Sequence, residues 1–324
     1  MVASVTPDPS EADLSLQLAV EWPSVISRNC PNCNRPQPAD AFIRAAAAVE
    51  NALYNSIGKA WQGPEGRTLF SYSRCSACGL VFAPTYLIQE AMRHCYLAVG
   101  HKIDKGNEQL ASLTGREYCS VASRYLPEAR RYCEIAPDQG QFLHGARQHY
   151  SLTEAILVEP NAALWPRFKG AATGLKATII TSPEEYSGSA AADSIDLLVA
   201  IHTLERLLVP ADMLRWVNRV LSPKGIAVFV VYNERSLLAR LMGRRWFPYR
   251  LQPPQLYSSA TLKASLEKQG LLVKAIRPVA THISAALLIT QAAFALTNRQ
   301  YSFGWLSWPV RLKLGDIMAI ASRA

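Results

Sequence analysis

Two pairs of cysteines are the residues whose spacing most directly predicts chemistry. Two residues separate Cys30 from Cys33 and Cys75 from Cys78, and 41 residues lie between the two pairs. Two intervening residues let a tight turn point both sulfurs at one metal ion, and two such turns complete a tetrahedral shell of thiolates. We therefore predict a structural zinc site, because four thiolates leave no open coordination position. The alternatives are cysteines packed without metal and, less favoured, a redox pair.

A second group of candidate residues lies where apolar runs end. The run 131–136 leads through the turn 137–140 into a segment that begins at Gln141, and the next apolar run ends at Glu159. The backbone of such a turn approaches a ligand closely, and the N-terminus of the following helix favours polar or anionic groups. A carboxylate at the end of the next strand can accept both hydroxyls of a ribose. Together these features predict a nucleoside-binding crevice, although Glu159 alone also fits a surface acid.

The fourth apolar run ends beside a histidine and an acid. His202 follows this run directly, and Glu205 comes three residues later. Open α/β sheets bind ligands at the carboxyl ends of their strands, and an imidazole suits a general base near neutral pH. We predict that His202 removes a proton from the acceptor and that Glu205 orients it. The alternatives are a histidine packed beside the ligand or bonded to backbone, and a solvated acid.

A short segment downstream combines arginines with aromatic residues. Arginine forks bind phosphate in bidentate fashion, and aromatic faces stack on sugars or bases. The segment predicts contact with a phosphorylated or nucleotide-linked sugar; the alternative is a solvated amphipathic helix with an aromatic anchor. Its members are Arg235, Arg240, Arg244, Arg245, Trp246, Phe247, Tyr249 and Arg250.

The elements that must position these residues follow from the apolar pattern. Short β-branched runs separated by helix-length segments are typical of strands buried on both faces of a mostly parallel sheet, with helices covering it. The pattern predicts an α/β fold. Its runs are 132–136, 155–159, 177–181, 195–201, 226–232, 271–276 and 317–322.

Composition excludes several classes of protein. The 324 residues are 49% hydrophobic and 18% charged, which favours a folded core over disorder or a coiled coil. The formal charge of +9 favours anionic partners. No apolar run reaches the roughly 18 residues of a membrane span, and no signal peptide is recognisable. We therefore expect a cytoplasmic protein without a membrane span, in which cysteines stay reduced or bind metal.

The changes in pattern along the chain predict four segments. We expect a flexible lead-in at residues 1–23 and a zinc-ribbon-like module at 24–90, in which an alanine-rich helix at 40–59 is inserted between the cysteine pairs. A helical connector at 91–128 then leads to the α/β domain at 129–324.

The order of these motifs resembles the class I S-adenosylmethionine-dependent methyltransferases. It is most similar to a bacterial branch with an N-terminal cysteine-pair zinc domain, which includes sugar and polysaccharide methyltransferases. Residues 134–143 resemble the first cofactor motif of that family, and 158–161 resemble the acidic second motif. The other similar segments are the second zinc knuckle at 75–82, the fourth-strand motif at 196–205, the turn at 221–225, and the substrate-side segments 233–240, 243–246 and 254–257.

The resemblance implies a Rossmann-like sheet of seven strands, the last one antiparallel, with S-adenosylmethionine as cofactor. It implies that the methionine end of the cofactor lies against Glu134, Ala136, Asp138 and Gly140, the ribose against Glu159 and Pro160, the adenine near Ser182, and that Ile201 and His202 line the cofactor. It implies substrate contacts from Arg244, Arg245, Trp246 and Tyr257.

Two departures from the family pattern bear on activity. The first motif usually has glycine at three alternating positions, and here only Gly140 remains beside Ala136 and Asp138. The common Glu-His pair after the fourth strand is Glu205-Arg206. We predict methyl transfer to a sugar, a glycan or a sugar-containing metabolite, with an anionic acceptor. The alternatives are a scaffold that no longer turns over and an RNA methyltransferase, whose RNA affinity would fall steeply with salt.

Overall fold

The computed structural model describes residues 25–36, 42–44, 70–99, 108–138, 140–188, 191–250, 253–297, 306 and 308–324. The predicted lead-in at 1–23 and most of the predicted helix at 40–59 lie outside these residues. The strands are β1 (Val25–Ser27), β2 (Ser73–Arg74), β3 (Val81–Phe82), β4 (Thr85–Leu87), β5 (Arg131–Ile135), β6 (Glu154–Val158), β7 (Lys176–Ile180), β8 (Ile195–Ile201), β9 (Leu221–Tyr232), β10 (Gln255–Leu256), β11 (Leu271–Pro278), β12 (Thr281–Ser284), β13 (Pro309–Leu312) and β14 (Asp316–Arg323). The helices are α1 (Gln89–Val99), α2 (Glu108–Ala122), α3 (Gln141–His149), α4 (Trp165–Lys169), α5 (Pro210–Val220), α6 (Leu237–Met242), α7 (Phe247–Arg250), α8 (Ser259–Lys268) and α9 (Ala285–Thr297).

The main sheet has seven strands in the order β11-β14-β9-β8-β5-β6-β7. The five strands from β9 to β7 run parallel, and β14 pairs antiparallel with both of its neighbours. All seven predicted apolar runs form these strands, so the predicted fold class is confirmed. The central strand β8 is apolar except for Asp196, as expected of a strand with helices on both faces.

The two faces of the sheet pack against different sets of helices. On one face, Leu197 and Val199 of β8 belong to a cluster with residues of α2 and α3. On the other, Leu198 and Ala200 join residues of α5 and α8. Alternate side chains of a strand point to opposite faces, which explains the division.

The second cysteine pair lies in the turn between two strands of a small sheet, which also includes a strand from later in the chain. The order of this sheet is β10-β3-β2, and β10 pairs antiparallel with β3. The register sets Gln255 opposite Phe82 and Leu256 opposite Val81. Cys30 and Cys75 belong to the same apolar cluster as one face of the main sheet. The N-terminal part is therefore packed into the α/β fold through strand pairing and through shared core.

Helix α1 begins two residues before the predicted connector at 91–128 and α2 lies inside it, with residues 100–107 outside the described part of the chain. The most apolar stretch, 283–296, forms the end of β12 and most of α9. Among the helices that the structure describes, none is both long enough and apolar enough to cross a bilayer.

Candidate active site

The turn after β5 has a left-handed backbone at all three positions where the family has glycine. The φ angles are 54° at Ala136, 50° at Asp138 and 72° at Gly140. For residues other than glycine this conformation costs about 1–2 kcal/mol each. At Gly140 an added Cβ would lie only 3.0 Å from the Cβ atoms of both Ala171 and Phe168. Close packing therefore requires glycine at the third position, whereas the first two demand only a strained backbone.

Glu134 is a buried acid at the end of β5, with 3% of its surface exposed. Its carboxyl accepts a hydrogen bond of 2.6 Å from the phenol of Tyr132. Burial raises the pKa of Glu134 to about 8, and the nearby charge of Asp138 adds to the shift. The hydrogen bond from Tyr132 only partly offsets this, because a phenol is a neutral partner. A cationic group, such as the ammonium of an amino acid, would stabilise the ionised carboxylate there.

Glu159 follows β6 and is fully buried. Its Oε1 accepts a bond of 2.7 Å from the Asn161 amide, and the hydroxyl of Tyr96 lies 3.1 Å and 2.9 Å from its two oxygens. Burial raises the pKa of Glu159 although both donors favour the ionised form. The predicted ribose acceptor therefore already binds a phenol from α1, which the sequence did not reveal because nothing marks Tyr96 as distinct from the other tyrosines of the chain.

The other two predicted cofactor positions lie at the same edge of the sheet. Pro160 is exposed directly after Glu159. Ser182 is half-buried after β7 and precedes the single turn Pro183–Glu185. The ends of three neighbouring parallel strands thus carry the positions predicted for methionine, ribose and adenine.

His202 lies after β8 with a left-handed φ of 49°. Its Nδ1 is 3.0 Å from Oε1 of Glu205, and its Nε2 is 3.9 Å from Oδ2 of Asp316. The ring stacks on Tyr232 with centroids 4.1 Å apart. Burial alone would lower the pKa of His202, but the charge of Asp316 and the hydrogen bond with Glu205 outweigh it, so the pKa lies above its usual value.

Asp316 extends this cluster toward helix α2. Its Oδ2 accepts a bond of 2.9 Å from Thr281, whose hydroxyl lies 3.1 Å from that of Tyr118. Sequence analysis predicted the strand that carries Asp316 but not its role. The reason is that β14 reaches His202 only through its antiparallel position beside β9, which no local pattern encodes.

A cavity of about 280 Å³ opens beside this cluster. Its walls combine aromatic, hydroxyl, carboxyl and imidazole groups from α2, α3 and β12 and from the turns that follow β5 and β8. Among the described residues, Nδ1 of His282 is buried there without a hydrogen-bond partner, at 4.0 Å from Glu117. The lining includes Tyr118, Asp138, Phe142, Ile201, His202, Thr281 and His282.

The four residues predicted to bind substrate differ in exposure. Arg244 and Arg245 are exposed in the single turn after α6. Trp246 and Tyr257 are each 1% exposed. Trp246 packs edge-on against Tyr232 at 6.3 Å, and so supports the ring that stacks on His202. Direct substrate contact stays a prediction for all four, with the two arginines accessible and the two aromatic residues inside the fold.

The four paired cysteines converge on one point. The sulfurs of Cys30 and Cys78 are 3.5 Å apart, those of Cys33 and Cys75 are 3.4 Å apart, and all four lie within 4.8 Å of one another. Four thiolates bound at about 2.3 Å around a tetrahedral ion would be separated by about 3.8 Å. The cluster therefore has the donor set and the spacing that such an ion requires.

A seven-stranded, mostly parallel sheet with one strand antiparallel to its neighbours is the fold of the class I S-adenosylmethionine-dependent methyltransferases. A sequence profile for a family described as "Methyltransferase domain" matches residues 107–275, slightly more than half of the chain. The chain belongs to this methyltransferase-domain family.

Several solved structures are similar to this chain. An S-adenosylmethionine-dependent methyltransferase from Thermotoga maritima is 14% identical, with a TM-score of 0.48 over 72% of this chain and 100% of that chain. A TehB-like methyltransferase from Corynebacterium glutamicum is 12% identical, with a TM-score of 0.40 over 72% and 96%. Phosphoethanolamine N-methyltransferase 2 from Haemonchus contortus, in complex with S-adenosylmethionine, is 13% identical, with a TM-score of 0.41 over 64% and 52%. Comparison with curated proteins finds no match.

Proposed function

We propose that this methyltransferase transfers the methyl group of S-adenosylmethionine to a hydroxyl of a sugar, a glycan or a sugar-containing metabolite. The observation that carries the proposal is the pairing of His202 with Glu205 beside the cavity. Methyl transfer from a sulfonium is an in-line displacement that depends on positioning and on removal of the acceptor proton. A histidine held by a carboxylate at the carboxyl end of a central strand supplies the second requirement.

The proton assignment on His202 follows from its partner. A carboxylate only accepts hydrogen bonds, so Nδ1 of His202 carries the proton that Glu205 binds. In the neutral ring the lone pair then lies on Nε2, which can take a proton from an acceptor hydroxyl. Asp316, 3.9 Å from Nε2, stabilises the imidazolium that results. Together the two acids fix the ring orientation and make it a stronger base.

The cofactor lies, in this proposal, along the ends of β5, β6 and β7. The bound cofactor supplies the methyl group. The carboxyl of Glu134 and the strained turn at Ala136, Asp138 and Gly140 hold its methionine end. Glu159 accepts the ribose hydroxyls, with Pro160 beside it, and the segment at Ser182 faces the adenine. The hydroxyl of Tyr96 competes with the ribose hydroxyls for the carboxylate of Glu159.

The sugar assignment rests on the chemistry of the cavity and of the arginine segment. The hydroxyl of Thr281 and the imidazole of His282 line the cavity, are partly exposed and can bond sugar hydroxyls. The exposed Arg244 and Arg245 favour an acceptor that carries a phosphate or another anionic group. Trp246 supports this segment from inside the fold.

We further propose that the cysteine cluster binds one zinc ion with a structural role. Cys30, Cys33, Cys75 and Cys78 supply four sulfur donors, which leaves no position for substrate or water. In this proposal the chain has three segments. The zinc module is residues 24–90, the helical connector is residues 91–128, and the methyltransferase domain is residues 129–324. Strand β10, which completes the small sheet of the module, belongs to the methyltransferase domain.

Calorimetric titration with S-adenosylmethionine tests the cofactor site. We expect Glu159→Ala to weaken binding roughly 10- to 150-fold, because a hydrogen bond to a charged group contributes about 1.5–3 kcal/mol. Tyr96→Phe should have the opposite effect and strengthen the binding of S-adenosylmethionine by up to about tenfold, because the competing hydroxyl is removed. Glu154→Ala, which removes an acid at the start of the same strand, is the control and should change nothing. A native protein that binds no cofactor would overturn the proposal, and unchanged affinity in Glu159→Ala would place the ribose elsewhere.

A further inference from the structure

Two buried side chains hold the loop that follows β8. Gln255 is fully buried, and its Nε2 donates hydrogen bonds to the carbonyls of Leu204 at 3.0 Å and Leu207 at 2.6 Å. Its Oε1 accepts a bond of 3.0 Å from Nη2 of Arg28, which also donates to the carbonyl of Leu208 at 3.0 Å. Buried loop carbonyls require such partners, so these two side chains fix the loop backbone.

Both side chains belong to the cysteine module or to its sheet. Arg28 lies two residues before Cys30, and its amide donates to the carbonyl of Pro84 at 2.7 Å. Gln255 pairs with Phe82, in the strand that follows the second cysteine pair. The module therefore reaches the end of β8 through an unbroken series of hydrogen bonds.

The module also holds the segment that follows β9. Arg74 makes a bidentate pair with Glu234, with both N–O distances at 2.8 Å. The side chain of Glu234 is only 2% exposed. The two segments that flank His202 and Tyr232 are thus both bonded to the same small module.

Glu205 depends on this external support. Its Oε1 accepts bonds from Nδ1 of His202 at 3.0 Å and, more weakly, from the Tyr232 amide at 3.4 Å. Its Oε2 is buried without a hydrogen-bond partner among the described residues. A buried carboxylate with one unsatisfied oxygen gains free energy by turning toward water, unless its backbone is held in place. The held carbonyls of Leu204 and Leu207 lie on either side of Glu205.

We propose that Arg28 and Gln255 are positioning residues, through which the cysteine module keeps Glu205 against His202. The catalytic meaning of this rests on the proposed function, in which His202 is the general base. The module is then part of the active-site architecture and not an appended domain. Neither residue touches the cavity, so both act through the loop 203–208.

The test is Gln255→Met, which keeps the length and the apolar volume of the side chain but removes both donors. The measurement is the titration of the His202 imidazole by NMR, assigned with His202→Gln. The groups that face this ring are Glu205, Asp316, Arg206 and Tyr232. If Glu205 moves away, the pKa of His202 falls, in the same direction as in Glu205→Gln. Gln148→Met, on the exposed face of α3, is the matched control and should titrate like the native protein.

Two further measurements separate the outcomes. Zinc content and affinity for S-adenosylmethionine should stay within about twofold of native in Gln255→Met, because neither site contacts this side chain. If this variant does not fold, Arg28→Lys is the second variant. It keeps the charge but loses the Nη2 group that bonds both Gln255 and the Leu208 carbonyl, so it should lower the pKa of His202 by less than Gln255→Met does. A folded variant in which His202 has the same pKa as in the native protein overturns the inference. If the pKa of His202 shifts but the native protein binds no cofactor, the proposed function is wrong and the positioning role of Gln255 is still supported.

Discussion

The two halves of the sheet edge hold their acids in different ways. At the ends of β5 and β6, Glu134 and Glu159 bond to the neutral phenols of Tyr132 and Tyr96. At the ends of β8 and β9, Glu205 bonds to His202 and Glu234 to Arg74. Among the described residues, neither Glu134 nor Glu159 pairs with a cation, whereas Glu205 and Glu234 pair with a histidine and an arginine of the protein. In the proposed function, the bound cofactor therefore supplies the cation of the cofactor half, and the catalytic half is built in advance.

Removing two of the proposed zinc ligands should have the largest effect, because it disturbs the module that holds the catalytic half. We expect Cys30→Ser combined with Cys33→Ser to lose about one zinc per chain and to unfold the module, since structural zinc contributes about 10–16 kcal/mol to folding in small domains. Metal analysis and thermal unfolding check this. Cys95→Ala, at a buried cysteine outside the cluster, is the control for zinc content. Native protein without zinc would show that the module is held by packing alone.

Adding one methyl group to the turn should destabilise the cofactor half. Gly140→Ala places a Cβ 3.0 Å from two neighbouring Cβ atoms on a left-handed backbone. Overpacking costs about 1–3 kcal/mol and the backbone a further 1–2 kcal/mol, so the free energy of unfolding should fall by about 2–5 kcal/mol. Urea denaturation measures the change. A loss below about 1 kcal/mol would mean that α4 and the following turn can move aside.

Proton release should accompany cofactor binding, since no described cation stabilises the ionised form of Glu134. Burial raises the pKa of Glu134 to about 8, so its carboxyl is mostly protonated at pH 7 in the free protein. A bound ammonium lowers that pKa, and binding then expels the proton. Affinity should therefore fall by up to about tenfold per pH unit as pH drops below 8, and level off above it. Calorimetry in buffers of different ionisation enthalpy counts the proton, and Glu134→Gln should abolish the release. Proton uptake, or none at all, would contradict this arrangement.

The features that could be predicted from the sequence are those that a short stretch of residues encodes. The seven strands follow from continuous apolar runs, and His202, Glu159 and the turn at Gly140 lie at the strand ends where they were expected. Tyr96, Asp316 and Gln255 were missed because each reaches the site by a long-range contact. Strand order and the docking of α1 decide those contacts, and neither is encoded in residue spacing. The buried position of Trp246 was missed for the same reason.

The smallest predicted effect comes from restoring the first family glycine. Ala136→Gly removes left-handed strain of about 1–2 kcal/mol, but glycine also adds about 0.4–1 kcal/mol of freedom to the unfolded chain. The free energy of unfolding should therefore rise by no more than about 1.6 kcal/mol, measured by urea denaturation beside Gly140→Ala. If the free energy of unfolding rises in Ala136→Gly and falls in Gly140→Ala, then packing and not the backbone angle decides which glycine of the motif is indispensable. A fall of more than 1 kcal/mol in Ala136→Gly would instead show that the methyl group of Ala136 packs well enough to offset its strain.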